Sequence, residues 1–171
     1  MRNRRIRPSR GERGVTVLPA CCSTKTTKLK IAIVAADDGM LRRYFIDVLE
    51  SAGYEVLPAA EAGNVLDLLE SRPDAGFLVM NFQSLRIDGF ALARQAKERQ
   101  PDIGVLYISS CSRSEVTRSA VPGSCYLPEP CAPSVLLNAL SLMANDDGSA
   151  PARLANLGGD GVTCAYRLAG V

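Results

Sequence analysis

Lys30-Ile31-Ala32-Ile33-Val34-Ala35-Ala36-Asp37-Asp38-Gly39-Met40-Leu41-Arg42 decides how the rest of the chain is read. Residues 30–35 form a near-continuous apolar run, the pattern of a strand covered on both faces rather than of a half-exposed one. Two aspartates follow. Beyond them Leu41, Tyr44, Phe45, Val48, Leu49 and Ala52 recur at i, i+3, i+4, i+7, i+8 and i+11, the buried stripe of an amphipathic helix. Asp38 is placed to cap that helix and Gly53 to close it.

Five repeats of this strand-and-helix unit can be read along the chain, which predicts an α/β fold with a parallel sheet. The second unit has a strand over 54–58 and a helix over 61–70 that turns Val65, Leu66, Leu68 and Leu69 inward before Pro73 stops it. In the third, a strand over 76–80 leads into a loop from Asn81 to Asp88, then a helix over 89–100 halted by Pro101. The fourth pairs a continuous apolar strand, 103–109, with the Ser-rich segment 112–121, whose composition predicts a short or loosely held helix. A strand over 124–127 and a helix over 133–144 complete the set. Pro133 suits the first helical position, and Val135, Leu136, Ala139, Leu140 and Met143 make the buried stripe.

The 171 residues, 47% hydrophobic and 22% charged, suit one domain with loose ends. The expected division is a basic disordered arm over 1–28, the α/β domain over 29–145 and a flexible tail over 146–171. The charge is divided as well. Nine Lys/Arg against Glu12 alone in residues 1–30 give that segment +8, which leaves −6 for the remainder of a chain whose total is +2. A segment so charged and so poor in apolar residues cannot offset its ordering entropy by burial. No aromatic residues interleave with its charges for base stacking, so a solvated tail is expected rather than a nucleic-acid arm. The stretch Gly14-Val-Thr-Val-Leu-Pro-Ala20 before Cys21 is short for a lipoprotein-type signal and is broken by Pro19. No apolar run approaches the roughly 20 residues that cross a bilayer, so a soluble, cytoplasmic protein without membrane attachment is expected.

Six cysteines, Cys21, Cys22, Cys111, Cys125, Cys131 and Cys164, include no Cys-x-x-Cys pair. The chain has no histidine, which excludes a mixed Cys/His zinc site, a His general base and a phosphohistidine relay within it. No glycine-rich phosphate loop or nucleophile elbow is present either, so the chain is not expected to be an enzyme.

In open parallel sheets ligands bind beyond the carboxyl ends of the strands. Here those ends carry Ala36, Asp37 and Asp38, then Asn81, Ser109 and Glu129. Together with Asp88-Gly89, Gly123-Ser-Cys-Tyr126 and Pro130, in this order and spacing, they make the stretch from Lys30 to Ala144 resemble the receiver domain of bacterial two-component response regulators, the CheY-like superfamily. The resemblance implies a flavodoxin-like (βα)5 sandwich, doubly wound, with a parallel five-stranded sheet in the order 2-1-3-4-5.

It also implies a site. In that family two acids after the first strand and an acceptor Asp after the third hold magnesium, a hard cation that wants several oxygen ligands. By register, Ala36 takes the first acidic place, Asp37 the second, and Asp38 the capping position. Asn81 stands at the acceptor position, where a neutral, delocalised amide is a poor nucleophile. The family's phosphate-pairing lysine is replaced by Glu129, whose carboxylate repels an anion. Ser109 and Tyr126 keep the hydroxyl and the aromatic ring of the family's switch, and Pro130 implies a cis Glu129-Pro130 bond. The simpler reading of the same residues is that Asp37 and Asp38 open a helix, Asn81 caps its loop and Ser109 satisfies a strand end.

The function expected on these grounds is a stand-alone pseudo-receiver in phosphorelay signalling. It would not accept phosphate at Asn81 and would act by binding a signalling protein such as a histidine kinase or another regulator. The resemblance places the contact surface, and a possible homodimer interface, on the fourth helix, fifth strand and fifth helix. No cofactor is expected, magnesium at Asp37 being the only candidate. Two alternatives stay open: phosphorylation at Asp38 or Asp88, and thiol or metal sensing by Cys111 and Cys131, which this fold would set along one cavity near Cys125.

Overall fold

The computed structural model describes residues 30–81, 88–144 and 163–165. The expectations for the basic arm, for Cys21 and Cys22, and for most of the tail lie outside these residues. Five units run β1 (Ile31–Ala35), α1 (Gly39–Ser51), β2 (Glu55–Ala59), α2 (Ala62–Ser71), β3 (Phe77–Asn81), α3 (Gly89–Arg99), β4 (Gly104–Ser109), α4 (Arg113–Ser119), β5 (Ser124–Pro128) and α5 (Pro133–Ala144), followed by β6 (Thr163–Ala165). The sheet order is β2-β1-β3-β4-β5-β6, with β1 to β5 parallel. The doubly wound 2-1-3-4-5 arrangement therefore holds.

The apolar strands have the reason predicted for them. Successive side chains of a strand point to opposite faces, so each central strand must be apolar throughout if helices cover both sides. Ile31, Ile33, Ala35, Leu78, Met80, Val105 and Tyr107 form one core with Val65 and Leu69 of α2, Leu92, Ala93 and Ala96 of α3, and Val116 of α4. Ala32, Val34, Phe77, Val79, Leu106, Ile108, Cys125 and Leu127 form the other, against Phe45 and Leu49 of α1 and Leu136, Ala139 and Leu140 of α5. All five residues of β1 and of β3 are buried.

Helix ends follow the local chemistry. The Asp38 carboxylate accepts from the backbone N–H of Met40 at 2.8 Å and of Leu41 at 2.9 Å, and Gly53, at φ 81°, ends α1 with its N–H on the Glu50 carbonyl. Asp88 caps α3 by accepting from Phe90 N–H at 3.0 Å. α4 is short, as its polar sequence predicts.

One expectation is corrected. Asn81 does not follow the third strand but is its last residue, paired with Ile108 of β4, because the parallel ladder with β4 continues through that position. Beyond the five units, residues 163–165 form β6, which adds antiparallel to β5. The outer edge of β5 carries backbone donors and acceptors that a sixth strand can satisfy, and Thr163-Cys164-Ala165 is too short an apolar run to be told from its glycine-rich surroundings. The sheet thus carries a sixth, antiparallel strand beside its five parallel ones.

Candidate functional site at the carboxyl edge of the sheet

β1, β3, β4 and β5 end side by side. Because Ala35 pairs with Met80 and Asn81 with Ile108, the residues that follow in register, Ala36, Asn81 and Ser109, line one edge. Glu129 joins them through its backbone N–H, which donates to the Ser109 carbonyl at 3.0 Å. The Glu129-Pro130 bond is cis, as the family resemblance implies.

Asn81 is buried, at 2% exposure, and its Nδ2 donates to Glu129 Oε1 at 2.6 Å. The partner fixes the amide's orientation, since an ionised carboxylate can only accept. The short distance belongs to the stronger, charge-assisted class of hydrogen bond. A nucleophilic oxygen is absent at this position, and the amide's donor side is committed to the residue that stands where an ammonium would stand.

The acidic side of the pocket is also altered. Ala36 is fully buried and brings only its main-chain carbonyl, which accepts from the Arg42 guanidinium. The same nitrogen lies 3.3 Å from the Asp37 carbonyl oxygen. Asp37 is exposed, and Asp38 spends its carboxylate on the α1 cap. Among the described residues the edge offers the exposed Asp37 carboxylate, a Glu129 carboxylate engaged by the Asn81 amide and a guanidinium against the strand end, a poor fit to magnesium, which binds through several oxygen ligands and carboxylates above all. Among the described residues no group of three or more His, Cys, Asp or Glu side chains is placed to hold a metal.

Ser109 and Tyr126 are both buried. Ser109 Oγ accepts from Cys111 N–H at 3.0 Å, the strand-end bond of the simpler reading. Tyr126 Oη donates to the Ser109 carbonyl at 3.2 Å and to the Cys111 carbonyl. The ring packs inward with Tyr107 and Val116 and ties β5 to the start of the β4–α4 loop. Asp88, the other alternative acceptor, has one carboxylate oxygen on its helix cap and the other 3.8 Å from Arg94.

The expectation that Cys111 and Cys131 share a cavity is overturned. Cys111 packs on the core beneath α2, α3 and α4, and Cys131 on the core beneath α1 and α5, across the sheet. The loops after β4 and β5 leave the same edge but turn to opposite faces. Cys131 instead lines a mainly apolar cavity of about 560 Å³ with Leu41, Tyr44, Phe45, Glu129 and Pro130. Burial, and then the Glu129 charge, push its thiol above the ordinary range. Tyr44 Oη donates to the Cys131 carbonyl at 3.1 Å, and partial burial followed by Cys131 raises its phenol.

Sequence reasoning missed Arg42 and the Asn81–Glu129 bond. Arg42 sits one helical turn beyond Asp38, so its long stem can fold back over the end of β1. That spacing was available to read.

No protein-family profile matches the chain. Two curated proteins do. The response regulator receiver protein CpdR of Brucella abortus (strain 2308) is 31% identical over 81 residues, covering 47% of this chain and 67% of that protein. The transcriptional activator protein ExaE of Pseudomonas putida is 28% identical over 114 residues, 64% of this chain and 53% of that one. Among solved structures, a response regulator receiver protein from Sinorhizobium medicae WSM419 superposes with TM-score 0.63 at 26% identity, covering 68% of this chain and 95% of its own. The chemotaxis response regulator CheY4 of Vibrio cholerae shares the fold, with TM-score 0.60 at 18% identity over 67% and 98% of the two chains. With its parallel 2-1-3-4-5 core and the receiver-like edge just described, the chain belongs to the receiver family of two-component response regulators.

Proposed function

We propose that this receiver does not take up phosphate and works as a protein-interaction module. The observation that carries the reading is the 2.6 Å hydrogen bond from Asn81 to Glu129. It replaces a nucleophile and its positive clamp with a neutral donor and a negative acceptor, so the pocket's polarity is reversed at both ends. An incoming phosphoryl group would meet the Glu129 carboxylate, find no attacking oxygen at Asn81, and lack a bound cation to neutralise it. Asp38 and Asp88 do not substitute for the acceptor, because each is engaged at a helix start.

Without a covalent trigger, the populations of the protein's shapes are set by partner binding alone. The partner is a signalling protein of the cytoplasm, a histidine kinase or another regulator. The contact surface is the α4–β5–α5 face, with a homodimer through that face as its simplest use. No catalysis, metal or nucleic acid takes part. Among the described residues no helix is long and apolar enough to cross a membrane.

The test is incubation of the full chain with magnesium and acetyl phosphate, followed by intact mass measurement, and NMR with beryllofluoride. The expected result is no phosphoryl adduct and no spectral change. A mass gain of one phosphoryl group that hydroxylamine removes, or shifts centred on Asn81 and Ser109, would overturn the reading.

A further inference from the structure

Glu129 is half-buried, and no cation among the described residues pairs with its carboxylate. Oε1 accepts from the neutral Asn81 amide, and Oε2 has no bond partner among those residues. None of the ion pairs they form includes Glu129. The two arginines of α1 are engaged elsewhere, Arg42 on the Ala36 and Asp37 carbonyls and Arg43 on Asp47 at 2.7 Å. A carboxylate drawn out of water gains from an opposite charge, and here the fold supplies none.

The same side chain lines the cavity of about 560 Å³ beside α1. Small-molecule sites enclose roughly 300–1,000 Å³, so the space is of ligand size. Its other walls, Leu41, Tyr44, Phe45, Pro130 and Cys131, are apolar or aromatic and bring no second acid or base of the Asp, Glu, Lys or Arg kind. Two of them are fixed in place. The Tyr44 ring meets Phe45 edge-on at 5.5 Å, and its hydroxyl ties α1 to the Cys131 carbonyl of the loop after β5.

We propose that this cavity binds a small organic cation, an arylalkylammonium in chemical class, with its ammonium on Glu129 Oε2 and its apolar body against Leu41, Tyr44 and Phe45. The ammonium makes the charge-assisted bond that the carboxylate lacks, and the aromatic rings favour a cation beside them. A hydrated metal ion does not suit these walls, because it wants several oxygen ligands and finds one carboxylate. An anion is repelled by Glu129. Since Oε1 stays on Asn81, the bound cation shares its carboxylate with the end of β3. The assignment does not rest on whether the protein takes up phosphate.

The full chain is titrated with phenethylamine at pH 7 and followed by amide NMR. Saturable shifts are expected at Leu41, Tyr44 and Cys131, with Val65 and Leu69, on the opposite side of the sheet, unmoved. Phenylethanol, the neutral analogue, should bind about tenfold more weakly or worse, and neither phenylacetate nor magnesium should move these amides. Glu129→Gln should lower the affinity for the amine to that for the alcohol. Absence of saturable shifts, equal affinity for amine and alcohol, or an affinity unchanged in the variant would overturn the assignment. The comparison of amine with alcohol uses the unaltered chain, so it decides the matter even where the variant misfolds. A phosphoryl adduct would count against the proposed function and leave this titration unchanged.

Discussion

Asn81 gives its amide N–H to the Glu129 carboxylate at 2.6 Å, and the two residues hold the ends of β3 and β5 together across the intervening β4. The donor in this pair is neutral and the acceptor charged, so the bond survives only while position 81 can donate. Asn81→Asp places two carboxylates in contact, and like charges that close cannot both ionise without cost. One of the two must hold a proton in the folded state, which raises its folded pKa above the unfolded value. The variant's stability is then greatest below the ordinary carboxylate range and is lost as pH rises through that raised pKa. At pH 7 it should be less stable than the parent by about 1–3 kcal/mol, a deficit that shrinks on acidification. Urea unfolding of both proteins at pH 7 and pH 5 checks this.

If polarity alone silences the pocket, restoring it should restore chemistry. Asn81→Asp with Glu129→Lys returns an acid and an ammonium to contact, and Ala36→Asp adds the missing acid beside Asp37. The triple variant should gain a phosphoryl adduct from acetyl phosphate and magnesium, whereas Asn81→Asp alone should gain little, since Glu129 still repels the donor. Equal labelling of the two would show that Glu129 does not matter.

Tyr126 is the second tie. Its hydroxyl donates to the carbonyls of Ser109 and Cys111 while the ring stays buried. Tyr126→Phe keeps the ring and removes both bonds, so the expected loss is about 1–2 kcal/mol, in the range for a buried hydrogen bond. The effect should also be local. Amide exchange at Ser110, Cys111 and Ser112 should quicken, with β1 and β3 unchanged.

Much of this architecture is legible in the amino-acid sequence. The runs of β1, of β3 up to Asn81 and of β4 from Val105 to Ile108 are continuously apolar because helices cover both faces, and the burial of each explains why they show no alternation. Asp38, Gly53 and Pro133 act locally, so their places can be assigned from neighbours alone. The Asn81–Glu129 bond joins residues 48 apart in sequence, and nothing near either one announces it. The cysteines show the same limit in reverse: Cys111 and Cys131 each follow a strand end, but which face a loop turns to is settled by packing, not by position along the strand. β6 is hidden because its three residues make sense only against the edge of β5.

Arg72 supplies a prediction remote from the pocket. Its guanidinium pairs with Glu55 at 2.7 Å and Asp74 at 3.0 Å, and those bonds hold both carboxyls below their ordinary values of 4.5 and 3.8. Groups with depressed folded pKa contribute stability above their unfolded pKa and lose it as pH falls through the folded one. Arg72→Gln should therefore be less stable than the parent at pH 7, with the gap closing below about pH 4, where the unfolded carboxyls are already protonated. Both carboxylates are exposed enough for salt to weaken the effect. A gap that persisted unchanged at acid pH would point to lost packing of the arginine stem instead.

Glu129 also acts on the cavity side of its loop. Its charge adds to burial in raising the Cys131 thiol, and only the thiolate reacts with iodoacetamide. Glu129→Gln removes that charge while leaving an amide oxygen to accept from Asn81, so the fold should hold and the Cys131 pKa should fall. Alkylation of Cys131 at pH 8 should then quicken, by an amount smaller than burial alone imposes, because burial is the larger cause. Cys111, on the opposite side of the sheet, serves as the internal control. If its rate rises in step with that of Cys131, the substitution has loosened the domain, and the electrostatic account of Cys131 fails.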